Sequence, residues 1–133
     1  MQAASVMKLR IVLADDNRRF LAMFSLLLGT EFDIVATASD GKSALEHIQA
    51  LQPDVAILDL EMPMLNGIEV ARVLMAHTSP PAIVICSVET DVEIVQAALD
   101  AGARGYVYKS RIATDLLAAV RAAARGESFV SSP

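Results

Sequence analysis

Five times between Lys8 and Gly126, the chain passes from a short apolar run into a longer segment whose apolar residues recur at helical spacing. The runs cover residues 9–14, 33–37, 55–58, 83–86 and 105–108. The first helical segment carries Phe20, Leu21, Phe24, Leu27 and Leu28 on one stripe and ends near Gly29. The second places Ala44, Leu45, Ile48 and Leu51 together and stops at Pro53, and the third carries Ile68, Ala71, Leu74 and Met75. Ile94, Val95, Ala98 and Leu99 mark the fourth, closed near Gly102, and Ile112, Leu116, Leu117 and Val120 the fifth, closed by Gly126. Gly and Pro thus stand where one period gives way to the other, as residues that end helices should.

Strand and helix in strict alternation specify an α/β fold, because each helix carries the chain back across the sheet to a parallel neighbour. The first, third and fourth runs are apolar throughout rather than at every second residue. That is the pattern of parallel strands covered on both faces. The predicted architecture is a doubly wound (βα)5 unit, a five-stranded parallel sheet in the flavodoxin-like strand order 2-1-3-4-5. A chain of 133 residues suffices for one such core and not for two. Aromatic residues make up only 5%, so the core must be built from Val, Ile, Leu and Ala.

The formal net charge of -5 argues against nucleic-acid binding by this chain, since such binding needs Lys and Arg to neutralise phosphates. No apolar run approaches the roughly 18 residues of a membrane span. The run after Lys8 and Arg10 stops at Asp15-Asp16, too soon for a signal peptide. Cys86, the single cysteine, lies within an apolar run and has no partner for an internal disulfide. A cytoplasmic protein without membrane contact is the expectation.

In sheets of this kind ligands bind at the carboxyl ends of the strands, near the point where strand order reverses. The first run ends in Asp15-Asp16, the third in Asp59, the fourth in Ser87 and the fifth in Lys109. Three carboxylates in one pocket repel one another unless a cation compensates. Oxygen ligands without paired His or Cys select a hard ion, Mg²⁺ or Mn²⁺. Lys109 supplies a point charge for a phosphate oxygen and Ser87 a hydroxyl donor. A carboxylate beside a divalent ion and a Lys is equipped to form an aspartyl phosphate. Singly, each residue has a plainer explanation: an Asp after a strand is as readily a helix N-cap, a Ser a turn former, a Lys a solvated charge. Asn17 is available as the cap after Asp15-Asp16, and the coincidence of all five at successive strand ends favours the chemistry. His47 and His77 have no partner at ligand spacing and read as surface residues.

Asp15-Asp16, the run Asp59-Leu60-Glu61-Met62-Pro63 with Gly67 beyond it, Ser87, and Gly105-Tyr106-Val107-Tyr108-Lys109 together resemble the receiver domains of two-component response regulators, the CheY-like superfamily. The resemblance implies that Asp59 takes a phosphoryl group from a phosphohistidine on a sensor histidine kinase. It implies metal ligation by Asp16, Asp59 and the backbone carbonyl of Glu61, with Asp15 acting through a metal-bound water. Ser87 and Lys109 would hold the phosphoryl oxygens. Tyr106 would be the aromatic that moves, entering space vacated when Ser87 is drawn to the phosphoryl group, and the surface of the fourth helix, fifth strand and fifth helix would respond. Glu61 and Glu89, each two positions beyond a site residue, would flank the path of the hydrolytic water and set the lifetime of the acyl phosphate. The domain would be a regulatory phosphoacceptor rather than a turnover enzyme, catalysing only its own phosphorylation and dephosphorylation.

Residues 116–121 followed by Gly126-Glu127-Ser128-Phe129-Val130-Ser131 are similar to the end of receivers in LuxR/NarL-type transcription factors. Ser110, in place of the proline many receivers carry after the Lys, fits the same group. Residues 1–126 then form the receiver and 127–133 begin a linker to a C-terminal helix-turn-helix output domain outside this chain. A second receiver is a further expected partner, as a homodimer on phosphorylation. Two other chemistries fit less well. A phosphatase of the haloacid dehalogenase type resembles Asp-x-Asp on a first strand, whereas here the third strand ends in Asp59 with Glu61 beyond it. A flavin-binding module needs a Ser/Thr/Gly-rich phosphate loop after the first strand, where Asp15-Asp16 would repel a phosphate.

Overall fold

Each apolar run is a strand and each apolar stripe a helix in the computed structural model, which describes residues 7–77 and 79–133. The order is β1 (Arg10–Ala14), α1 (Arg18–Leu28), β2 (Asp33–Ala38), α2 (Gly41–Leu51), β3 (Val55–Asp59), α3 (Gly67–Met75), β4 (Ala82–Ser87), α4 (Val92–Asp100), β5 (Gly105–Tyr108) and α5 (Ile112–Ala124). A short 3-10 turn over Lys109–Arg111 joins β5 to α5. Four helices begin at a side-chain cap, Asn17, Asp40, Asn66 and Asp91, each accepting a hydrogen bond from a backbone N–H of the first turn. At Asn66 the bond is reciprocal, with Glu69 reaching back to close a capping box.

The parallel sheet runs β2-β1-β3-β4-β5, the order expected, and then gains a sixth strand, β6 (Phe129–Val130), beside β5. The expectation of five strands is corrected here. After α5 the chain turns at Gly126, whose φ is 80°, a conformation that a side chain disfavours. It then runs parallel to β5, with Gly105 opposite Phe129 and Tyr106 opposite Val130. Ser131 follows this pair into the core: its Oγ donates to Asp115 Oδ2 at 2.7 Å and accepts from the Tyr108 N–H at 3.1 Å. Arg111 completes the group through its Nε, 2.9 Å from Asp115 Oδ2. Residues 129–131 are therefore bound to the domain rather than free of it.

Alternation along the strands sorts the core into two layers. Val12, Ala14, Ala56, Leu58, Ile83 and Ile85 pack against α2, α3 and α4. Ile11, Leu13, Val55, Ile57, Val84 and Val107 pack against α1 and α5. With both faces covered, polar groups are driven to the strand ends.

Candidate functional site

Asp15 directly follows β1, and its N–H still pairs with the carbonyl of Ala38 at 3.0 Å. This pairing holds its side chain inward, where it is fully buried, and its Oδ1 accepts from the Asn17 N–H at 2.8 Å. Asn17 itself serves as the α1 cap, through a bond from Arg19 N–H at 2.9 Å, so Asp15 and Asp16 are not consumed as caps. Asp16 is exposed at the rim. Asp59 ends β3 and is 4% exposed. The chain leaving it folds back tightly: a Cβ on Gly67 would lie 2.5 Å from the Asp59 carbonyl oxygen, so only glycine fits there. The intervening loop makes a three-residue turn, Leu65 N–H to Pro63 carbonyl at 2.9 Å, with Met64 at a φ of 75°.

Carboxylate oxygens of Asp15, Asp16 and Asp59 lie within 4.8 Å of one another. Lys109, at the end of β5, reaches across with its Nζ 2.7 Å from Asp15 Oδ2 and 3.3 Å from Asp59 Oδ2, its side chain 7% exposed. Asp15 Oδ2 is buried, and the Lys109 ammonium is its one partner among the described residues. Three clustered carboxylates against a single ammonium fit a hard divalent cation, which seeks oxygen ligands and tolerates retained water.

Burial pushes the Asp59 carboxyl up to about 6, the neighbouring charge of Asp15 adds to the rise, and Lys109 opposes it. Burial works against the Lys109 ammonium, but its hydrogen bond to Asp15 and the charges of Asp59 and Asp15 hold its pKa above the ordinary value. At neutral pH Asp59 is mostly ionised and Lys109 fully so. The cluster offers a nucleophilic oxygen under a fixed positive charge.

Ser87 ends β4, one residue past Cys86, which pairs with Asp59 in the sheet. It is buried, and its Oγ accepts from the Glu89 N–H at 3.1 Å. The Tyr106 ring is completely buried, its hydroxyl donating to the Glu89 carbonyl at 2.8 Å and its edge meeting Tyr108 with centroids 6.1 Å apart. The tyrosines share one face of β5, as their alternation predicts. The ring thus already lies inside the domain, on the same side of β5 as the Glu89 backbone that Ser87 also engages. Glu61 contributes a long N–H bond to Asp59 Oδ1, 3.4 Å, while its side chain is exposed; Glu89 is half-buried. His47 and His77 are exposed and far in sequence from any of these groups.

One participant was not visible in the sequence. The Lys109 ammonium lies 4.1 Å from the centroid of the Phe20 ring on α1. Phe20 reads in the sequence as a core stripe residue, and nothing in its spacing connects it with Lys109.

A family model described as the response regulator receiver domain matches residues 11–121. The transcriptional regulatory protein DegU of Brevibacillus brevis is 33% identical over 125 residues, covering 92% of this chain and 53% of DegU. NarL of Mycobacterium tuberculosis is 35% identical over 126 residues, covering 93% of this chain and 58% of NarL. The chain thus spans rather more than half the length of these relatives. The signal receiver domain of M. tuberculosis NarL superposes with a TM-score of 0.88 at 34% identity, covering 92% of this chain and 100% of that structure.

Proposed function

From its membership of the response regulator receiver domain family of two-component signalling, to which the chain belongs, we propose that Asp59 is the phosphoacceptor. The observation that carries this is the ion pair at β3's end: a buried carboxylate with Lys109 3.3 Å away and two further carboxylates within 4.8 Å. An Asp59 oxygen attacks the phosphorus of a phosphohistidine on a sensor histidine kinase. The new P–O bond forms as the P–N bond breaks, and the imidazole departs with the bonding pair. A divalent cation, Mg²⁺ or Mn²⁺, would be held by Asp16, Asp59 and the Glu61 carbonyl, with Asp15 through water, and would neutralise charge on the transferring group. Lys109 binds one phosphoryl oxygen and Ser87 donates to another. Glu61 and Glu89 flank the path of water to the acyl phosphate. The domain is a switch that modifies itself, not a turnover enzyme.

Among the described residues no helix is long and apolar enough to cross a membrane; a cytoplasmic setting, where a kinase would meet it, is part of the proposal. DegU and NarL are transcriptional regulatory proteins that extend well beyond the matched region, which supports a linker after this receiver and a DNA-binding output domain. Phosphorylation would favour docking of that domain or a second receiver on the surface of α4, β5 and α5. The test uses Mg²⁺ and a small acyl phosphate donor with intact-mass spectrometry. Wild type should gain one phosphoryl mass and Asp59→Asn none; equal labelling of both refutes the assignment.

A further inference from the structure

Lys109 has a third neighbour besides Asp15 and Asp59. An ammonium carries three donors, and the two acids stand at 2.7 and 3.3 Å. The remaining contact is the Phe20 ring, its centroid 4.1 Å from Nζ. That ring is itself held: Phe24, completely buried on the next turn of α1, lies 6.2 Å from it at an interplanar angle of 33°.

We propose that Phe20 is a positioning residue, whose ring face holds the Lys109 ammonium between Asp15 and Asp59 and keeps water from it, so that the charge is set for a phosphoryl oxygen. The inference rests on Asp59 being the phosphoacceptor. A lysine ammonium is a strongly hydrated point charge on a flexible stem, and left alone it would spend its donors on water. The negative face of an aromatic ring attracts it without offering a strong hydrogen-bond acceptor. The donors therefore stay available when a phosphate arrives. A third carboxylate at this place would grip the ammonium harder but would repel the incoming phosphoryl group. A leucine would fill similar space and exclude water, but it has no quadrupole. The plainer account, that Phe20 only packs on Phe24, predicts no link to Lys109.

The full chain is labelled with Mg²⁺ and the small acyl phosphate in wild type, Phe20→Leu and Phe20→Tyr, and both Phe20 residues are compared again in a Lys109→Gln background. Phe20→Leu should slow labelling about 2- to 30-fold, the range from an exposed to a desolvated cation–π contact. Phe20→Tyr, which keeps the ring face, should stay close to wild type. In Lys109→Gln the same Phe20→Leu change should add nothing. By NMR, the Lys109 ε-methylene protons should show a ring-current shift in wild type and Phe20→Tyr that disappears in Phe20→Leu. Unchanged labelling by Phe20→Leu, equal slowing in the Lys109→Gln background, or no ring-current shift would overturn the proposal. If wild type itself fails to label, the acceptor assignment falls, and the Lys109 proton shift still decides whether Phe20 holds the ammonium.

Discussion

Asp59→Asn should make the folded domain more stable at neutral pH in the absence of divalent metal. The Asp59 carboxyl is raised from 3.8 to about 6, first by burial and then by the charge of Asp15. Below about pH 4 it is protonated in both the folded and unfolded states and favours neither. As pH rises from about 4 to about 6, the unfolded chain releases the proton first, so stability is lost over that window and the loss levels off above it. The rise is equivalent to about 3 kcal/mol, an upper limit at pH 7.5 that relaxation and water entry will reduce. Asparagine has nearly the same shape and no proton to lose, so it escapes the penalty. Urea denaturation at pH 4, 6 and 7.5 in EDTA should give a mutant advantage near zero at the lowest pH, growing to between about 1 and 3 kcal/mol at the highest. Saturating Mg²⁺ should narrow or reverse the difference, because it binds the folded wild type more tightly. A mutant no more stable than wild type at pH 7.5, or an advantage that does not change with pH, would refute the reasoning.

Four further outcomes follow from the same geometry. Asp16→Asn should weaken Mg²⁺ binding by calorimetry and slow labelling, whereas His47→Ala should do neither. The decay of the phosphorylated form, followed by mass spectrometry, should differ between wild type and the Glu61→Ala, Glu89→Ala double mutant, and identical rates would remove those residues from the water path. Ser131→Ala should cost about 1–3 kcal/mol in denaturation, since it leaves the buried Tyr108 N–H without a partner and removes one of the two bonds to Asp115 Oδ2, the other coming from Arg111, and amide exchange at 129–131 should quicken. Beryllofluoride, which mimics the phosphoryl group, should shift NMR signals across 87–121 strongly in wild type and much less in Ser87→Ala.

The strands and helices were legible because their periods differ and Gly or Pro marks the changes. Their limits were less so: α2 begins at Gly41, because the cap at Asp40 recruits residues outside the apolar pattern. The sixth strand escaped because two residues carry no period; what holds Phe129 and Val130 is backbone pairing with β5 together with the buried contact of Ser131 with Asp115 on α5, residues distant in sequence from one another. The acidic cluster was legible because a parallel sheet must bring its carboxyl ends together. Phe20 was not, because its meeting with Lys109 depends on how α1 lies on the sheet. Alternation likewise fixed which face of β5 Tyr106 occupies, but not the rotamer of its side chain.

That rotamer bears on how a phosphoryl group could be felt at a distance. Ser87 Oγ accepts from the Glu89 N–H, and the Tyr106 hydroxyl donates to the Glu89 carbonyl. One residue's backbone therefore ties the end of β4 to the ring on β5. A hydroxyl that accepts one bond keeps its own hydrogen to donate, so in the proposed role Ser87 would donate to a phosphoryl oxygen while still accepting from the Glu89 N–H. Converting a two-state equilibrium from 1:99 to 99:1 takes about 5.5 kcal/mol. Hydrogen bonds to a charged group contribute about 1.5–3 kcal/mol each, so those from Ser87 and Lys109 approach this amount only if little is spent elsewhere. The Tyr106 ring is already buried, so its desolvation adds nothing to that expense. The segment with room to respond runs from Ser87 to the first residue of α4, where Val88 and Val92 are 64% and 79% exposed while the two bonds to Glu89 hold its inner side.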